Sequence, residues 1–236
     1  MRPLRCASYN IRIGIESTLA QVAEALIALG PLDVVAFQEI SHHWCMGEKL
    51  DQTAWLAAAL GLPHHCFAGA LTHRDGGQFG VALAARWPLQ AVHHTPLPRQ
   101  RDEQRVLLSA TMQGPVAVRL FNTHLSVSAE ERHAQARLVG AAVAAVPGPT
   151  VLFGDLNIGP DDPARRIAQG ALLDCYDTCG AGPPHTFSVA EPTERIDYIA
   201  AGGGLTPIAP CWVARDARAS DHFPLVATLA LHPAKC

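Results

Sequence analysis

The sequence predicts a layered α/β fold, two packed sheets with helices on the outside. A strand–helix–strand run occurs in each half of the chain, and the intervening stretches read as consecutive strands joined by turns. No linker, internal repeat or low-complexity tract divides the chain. The length is 236 residues. At roughly 150 residues per domain, and with α/β domains often reaching this size alone, one domain over residues 1–236 is expected.

The elements follow in order. Residues 4–10 read as a strand, and about 18–29 as a helix. Thr18 and Gln21 fit a capping box there, apolar residues recur at 19, 22, 23, 26 and 27, and Gly30-Pro31 ends the pattern. Val34–Phe37 is a short buried strand. A second helix, about 52–60, starts at Asp51 and stops at Gly61. Residues 79–85, 90–95, 105–112 and 116–123 alternate as strands. Ser128 and Glu131 form a capping box for a third helix, ended by Pro147-Gly148. Thr150–Phe153 is a strand, followed by a short helix with Asp162 as N-cap and Pro163 in its first turn. Two last strands lie near 195–200 and 224–230, and Gly202-Gly203-Gly204 is a loop.

Composition excludes several classes. Hydrophobic residues are 49% and charged residues 17%, against about 25% charged in an average chain, which excludes disorder. The net charge of −3 excludes nucleic-acid binding by bulk positive charge. Arg outnumbers Lys 16 to 2, so the cations are of the forked kind suited to phosphate. No stretch approaches the ~20 apolar residues of a membrane span, and no signal peptide precedes the first strand. The 7 Cys are scattered without a C-x-x-C pair, so a reduced, cytoplasmic setting is expected.

Polar clusters recur beside apolar strands: Ser8-Tyr9-Asn10, Gln38-Glu39, Asn122-Thr123-His124, Gly154-Asp155-Leu156-Asn157, Arg195-Ile196-Asp197-Tyr198 and Ser220-Asp221-His222. Any one of them reads equally well as ordinary turn chemistry. Together they repeat carboxylates, imidazoles and amides, a collection that structure alone does not require and that is costly to bury unpaired. The doublets His42-His43, His64-His65 and His93-His94 read as loop or surface, because neighbouring side chains of a strand face opposite ways. Cys175 and Cys179 fit one helical turn without a metal partner.

In this order and spacing, YNIR, QE, NTHL, GDLN, RIDYI and SDHFPL resemble the endonuclease/exonuclease/phosphatase superfamily, from Asn10 to Leu225. The segment from Gly80 to Pro88 and Glu103-Gln104-Arg105 resemble two further family elements. The resemblance implies a four-layer α/β/β/α sandwich of two mostly antiparallel sheets. It also implies Mg²⁺- or Mn²⁺-dependent hydrolysis of a phosphate ester by in-line attack of water. It assigns the metal to Glu39, with Asn10 and Asp221 helping, and the water to Asp155. Asn157 and His124 become phosphate donors. His222, oriented by Asp197, becomes a second catalytic phosphate contact. Arg105 and Thr186 become substrate contacts. Some family nucleases carry an acidic residue where this chain has Arg12, which argues against a second metal there.

The substrate expected is a small or single-stranded phosphate ester, handled by a monomer. The alternatives are a DNA or RNA nuclease, a sphingomyelin-type lipid phosphodiesterase and a catalytically silent binding domain.

Overall fold

The computed structural model of the protein describes residues 2–231. Seven strands form one sheet in the order β10 (Gly180–Ala181), β12 (Leu205–Val213), β13 (Leu225–Leu231), β1 (Leu4–Asn10), β2 (Val34–His42), β4 (Gln78–Ala85) and β3 (His64–Thr72). Six form the other: β5 (Leu89–Pro96), β6 (Val106–Gln113), β7 (Ala117–His124), β8 (Thr150–Asp155), β11 (Asp197–Gly202) and β9 (Leu173–Asp174). Three pairs are parallel, β1·β2, β7·β8 and β10·β12, and the other pairings are antiparallel.

Strand alternation sorts the side chains into layers. Cys6, Val34, Ala36, Val81 and Leu83 of one sheet meet Leu108, Leu120, Val151, Phe153 and Ile199 of the other in the central core. Ala7, Tyr9, Val35 and Phe37, one position out of phase, turn outward and are covered by Leu19, Val22 and Leu26 of α1 (Leu19–Ile27) and Leu56 of α2 (Gln52–Ala59). Phe121, Leu152 and Tyr198 are covered in the same way by α3 (Ala129–Ala144) and α4 (Pro163–Gln169). At Gly140 of α3 an added Cβ would lie 2.1 Å from the Ile167 carbonyl, so a glycine allows the two helices to approach this closely. The result is the four-layer sandwich that the resemblance implied.

The α1 capping box forms as expected, with the Thr18 side chain accepting from Gln21 N and the Gln21 side chain from Thr18 N. The one at α3 does not. Ser128 takes the N-cap position without a side-chain bond, and Glu131 Oε1 accepts instead from Arg101 N at 2.6 Å and Asp102 N at 3.0 Å. The loop crossing above the helix wins that carboxylate.

Four strands, β3, β9, β10 and β12, were not legible. β12 carries Pro207 and Pro210, which argue against a strand, and it accommodates them with a bulge between Ile208 and Trp212. β3 begins at the His64-His65 doublet, which reads as loop or surface, while His93-His94 lie on the exposed edge strand β5, within the stretch 90–95 expected as a strand. Cys175–Cys179 forms α5, the expected helical turn.

Candidate active site

At the carboxyl ends of two parallel strand pairs, Asn10 and Glu39 in one sheet face His124 and Asp155 in the other. This is where open α/β units place ligands. Glu39 sits in a bulge, where the β2–β4 register shifts between Gln38 and Ile40, and its φ is +49°. Asn157 is left-handed as well, at +50°. Such conformations cost of order 1–3 kcal/mol in a non-glycine residue and gather at working sites.

A buried amide clamp fixes the two halves. Gln38 Nε2 donates to Ser8 Oγ at 3.1 Å and across to Asn122 Oδ1 at 2.8 Å. Asn122 Nδ2 returns to the carbonyls of Phe37 at 2.9 Å and Ala82 at 2.8 Å. Gln38 immediately precedes Glu39, and Asn122 stands two positions before His124, so the clamp sets the spacing of the site. Sequence reasoning noticed both residues and gave them no role.

The focus is a single atom, Asp155 Oδ2. Asn10 Nδ2 lies 3.0 Å from it, His124 Nε2 3.5 Å and His222 Nε2 3.6 Å. Asp155 Oδ1 accepts from Asn157 N at 3.0 Å. Burial and the charge of Asp197 push the Asp155 carboxyl well above the usual range. His222 Nδ1 bonds Asp197 Oδ2 at 2.9 Å. Burial works against the imidazolium, but Asp197 and Asp155 outweigh it, and the ring is raised to about 10. His124 is the opposite case: burial, then Arg105 and His222, hold it well below its ordinary value and therefore neutral. Arg105 Nη1 lies 3.0 Å from His124 Nδ1 and has only protons to offer, so Nδ1 accepts and the proton sits on Nε2. Asn157 Nδ2 donates to the Leu125 carbonyl at 2.9 Å and lies 3.1 Å from His124 Nε2, which is 3.5 Å from Asp155 Oδ2.

Asp197 and His222 come together across the two sheets, not within one. Asp197 opens β11, while His222 precedes β13 of the other sheet. The segment 186–194 joins them: Phe223 N donates to Thr186 O at 2.8 Å and Val189 N to Asp221 O at 2.8 Å, while the Phe187 ring packs on His222 with centroids 4.7 Å apart.

Four expected positions differ from their sequence roles. Thr186 is fully buried; its Oγ accepts from Ile196 N at 3.2 Å and Asp197 N at 3.3 Å, so it holds Asp197 and cannot meet substrate. Arg105 lies buried behind His124, with Nη1 3.0 Å from Nδ1 of that ring and Nη2 3.5 Å from Glu103, so its guanidinium is turned to the histidine. Asn10, expected to lend its oxygen to a metal, has Oδ1 taken by Arg12 N at 3.0 Å and turns Nδ2 toward Glu39 Oε1 at 3.1 Å. Asp221 Oδ2 is paired with Arg12 Nη1 at 3.2 Å.

Divalent-metal chemistry fits the donors. Burial, and then the charge of Asp221 against the relief from Asn10 and His222, leaves the Glu39 carboxyl raised. Glu39 and Asp155 share one neutral Asn10 amide, and hard oxygen donors are what Mg²⁺ takes. Asp155, Asp197 and His222 also place ligand atoms within 4.8 Å of one another. Of these, His222 is already committed through Nδ1 to Asp197.

The chain matches the Endonuclease/Exonuclease/phosphatase family over residues 7–222. No curated protein matches it. Among solved structures, an endonuclease/exonuclease/phosphatase from Beutenbergia cavernae is 27% identical with TM-score 0.84, the match covering 99% of this chain and 73% of that one. A mannosyl-6-phosphatase from Bacteroides thetaiotaomicron is 19% identical with TM-score 0.79, covering 97% of this chain and 100% of that one. A sphingomyelinase C from Streptomyces griseocarneus is 18% identical with TM-score 0.73, covering 97% and 99%. The last two are similar in fold alone.

Proposed function

Because this chain belongs to the endonuclease/exonuclease/phosphatase family, whose members hydrolyse phosphate esters, we propose that it is a Mg²⁺-dependent phosphodiesterase or phosphatase acting on a small or single-stranded substrate. Residues 1–236 are taken to act as one catalytic unit. The observation that carries the reading is the convergence of Asn10, His124 and His222 on Asp155 Oδ2.

Glu39 is assigned to hold the metal, flanked by Asn10 and Asp221. A bound Mg²⁺ supplies Lewis-acid stabilisation of charge on the phosphoryl oxygens. Asp155 accepts a proton from the water that attacks phosphorus, a role matched to its raised carboxyl. As the new P–O bond forms and the ester P–O bond breaks, negative charge grows on the phosphoryl oxygens. The His222 imidazolium and the His124 Nε2–H, with Asn157 Nδ2 3.1 Å from that ring nitrogen, are the donors assigned to that charge. Asp197 keeps His222 charged and presents Nε2 inward. Arg105 fixes the His124 tautomer that donates from Nε2.

The net charge of −3 and the scarcity of Lys favour the smaller substrates over duplex DNA. Among the described residues no helix is long and apolar enough to cross a membrane. The test is hydrolysis of a panel with Mg²⁺ and Mn²⁺: phosphomonoesters including sugar phosphates, dinucleotides, abasic duplex DNA and sphingomyelin. Salt-titrated duplex binding accompanies it. Turnover of the small esters with weak duplex binding supports the reading; tight, salt-dependent duplex binding with duplex cleavage replaces it with a nuclease.

A further inference from the structure

Just past Asn10 the backbone makes an unusual turn. Arg12 and Ile13 are both left-handed, at φ +45° and +49°. For a β-branched residue that conformation is a genuine outlier. It is held from several sides. Arg12 N donates to Asn10 Oδ1 at 3.0 Å, and the buried Gln52 donates from Nε2 to the Ile13 carbonyl at 3.0 Å. The loop at Gly47 leans on the same carbonyl so closely that a Cβ there would lie 2.2 Å from it.

What the turn achieves is the placement of one guanidinium. Arg12 Nη1 is paired with Glu16 and with Asp221 Oδ2 at 3.2 Å. Asp221 adjoins His222, and Asn10, which holds the Arg12 backbone, donates to both Glu39 and Asp155. Arg12 is thus anchored to the site by two routes, backbone and side chain. Its side chain is still 47% exposed, and both of its ion pairs leave from Nη1. A guanidinium has five N–H donors in a rigid fork, so the outer edge of this one remains available to an anion. It reaches the site through Asp221, the residue before His222 in the chain.

We propose that Arg12 is a specificity-determining residue that grips a second anionic group of the substrate, selecting small phosphate esters that carry a further phosphate beside the scissile one. The inference rests on the phosphohydrolase reading and narrows its substrate class. Glu16 and Asp221 hold the guanidinium in place on its inner side, and the fork meets the second phosphate with its outer N–H groups. That second contact is not available to an ester with a neutral substituent at that point.

The test compares wild type with Arg12→Gln and Arg12→Lys, at one fixed Mg²⁺ concentration, by titration calorimetry with inorganic phosphate and with methylenediphosphonate. Wild type should bind the diphosphonate at least tenfold more tightly than phosphate. Arg12→Gln should lose about tenfold to a hundredfold toward the diphosphonate, the worth of a charge-assisted contact, and little toward phosphate. Arg12→Lys should keep part of the preference. Equal loss toward both ligands would mean that Arg12 merely supports Asp221, and absence of a preference in wild type would mean that no second anion is read there; either overturns the proposal. Hydrolysis of bis(p-nitrophenyl) phosphate is followed alongside. A wild type that binds with the expected preference but hydrolyses no phosphate ester overturns the functional reading instead.

Discussion

Replacing Asp197 by Asn tests mechanism and architecture together. His222 Nδ1 lies 2.9 Å from Asp197 Oδ2, and Nε2 lies 3.6 Å from Asp155 Oδ2. At an effective dielectric constant of about 20, unit charges 2.9 Å apart attract by roughly 6 kcal/mol, a ceiling of about four pH units. The Asn replacement removes the nearer charge and leaves burial opposed by Asp155 and, more weakly, Asp221, so the His222 pKa falls from about 10. The alkaline limb of kcat/KM on bis(p-nitrophenyl) phosphate should then move down by at least ~1 pH unit, and the rate should drop about 10²-fold. His222→Ala should cost more, since it removes the donor itself. The double variant should be within about threefold of His222→Ala, because Asp197 acts through the ring. An alkaline limb that stays in place, or additive losses in the double variant, would refute the reasoning.

Stability supplies a second readout of the same pair. A histidine raised on folding stabilises fully below its unfolded pKa of about 6.5, and that contribution is lost as pH rises through about 10. The stability deficit of Asp197→Asn in urea should therefore be largest near pH 6 and shrink on the alkaline side. Asp197 Oδ1 is buried and finds no partner among the described residues, so His222 is what makes the buried carboxylate tolerable. His222→Ala should destabilise by about 3–5 kcal/mol at neutral pH, and adding Asp197→Asn should recover part of it.

Glu39→Gln should weaken Mg²⁺ binding in titration calorimetry and reduce turnover at least about 10²-fold while the urea midpoint holds, since it neutralises a raised carboxylate without changing its size. Asp155→Asn should cost a similar factor in kcat but retain metal affinity; a metal site lost while saturated turnover persists would reassign it as a ligand. Gln38→Leu should destabilise by about 1–3 kcal/mol in urea by leaving Asn122 Oδ1 and Ser8 short of a partner, and should lower kcat with it.

The fold was legible where local signals agree, as in β1, α1 with its capping box, and β8 running into Gly154-Asp155. It was not legible where tertiary contacts override local ones. The bulge in β12 makes room for prolines that otherwise argue against a strand, and Glu131 leaves its capping box because the loop at Arg101 offers two backbone N–H groups. The residues of the site were all in the motifs, but their partners were not. Nothing in RIDYI says that Thr186 will hold Asp197 from beneath, or that Arg105 will spend its charge on His124. Those contacts join residues far apart in the chain, and no local pattern encodes them.

The arrangement has a simple origin in topology. β1, α1 and β2 make one parallel crossover, and β7, α3 and β8 make another, each flanked by antiparallel strands. A parallel pair joined by a helix brings both carboxyl ends to the same edge. The first unit therefore presents Asn10 and Glu39, and the second presents His124 and Asp155. Neither unit is a complete site. On the proposed mechanism Glu39 would hold the cation on one sheet and Asp155 would take the proton on the other, so the distance between sheets would itself be a catalytic variable. Hydrophobic packing alone specifies that distance loosely, because apolar contacts have no direction. The directional Gln38–Asn122 bond at 2.8 Å, placed directly beneath the site, fixes it.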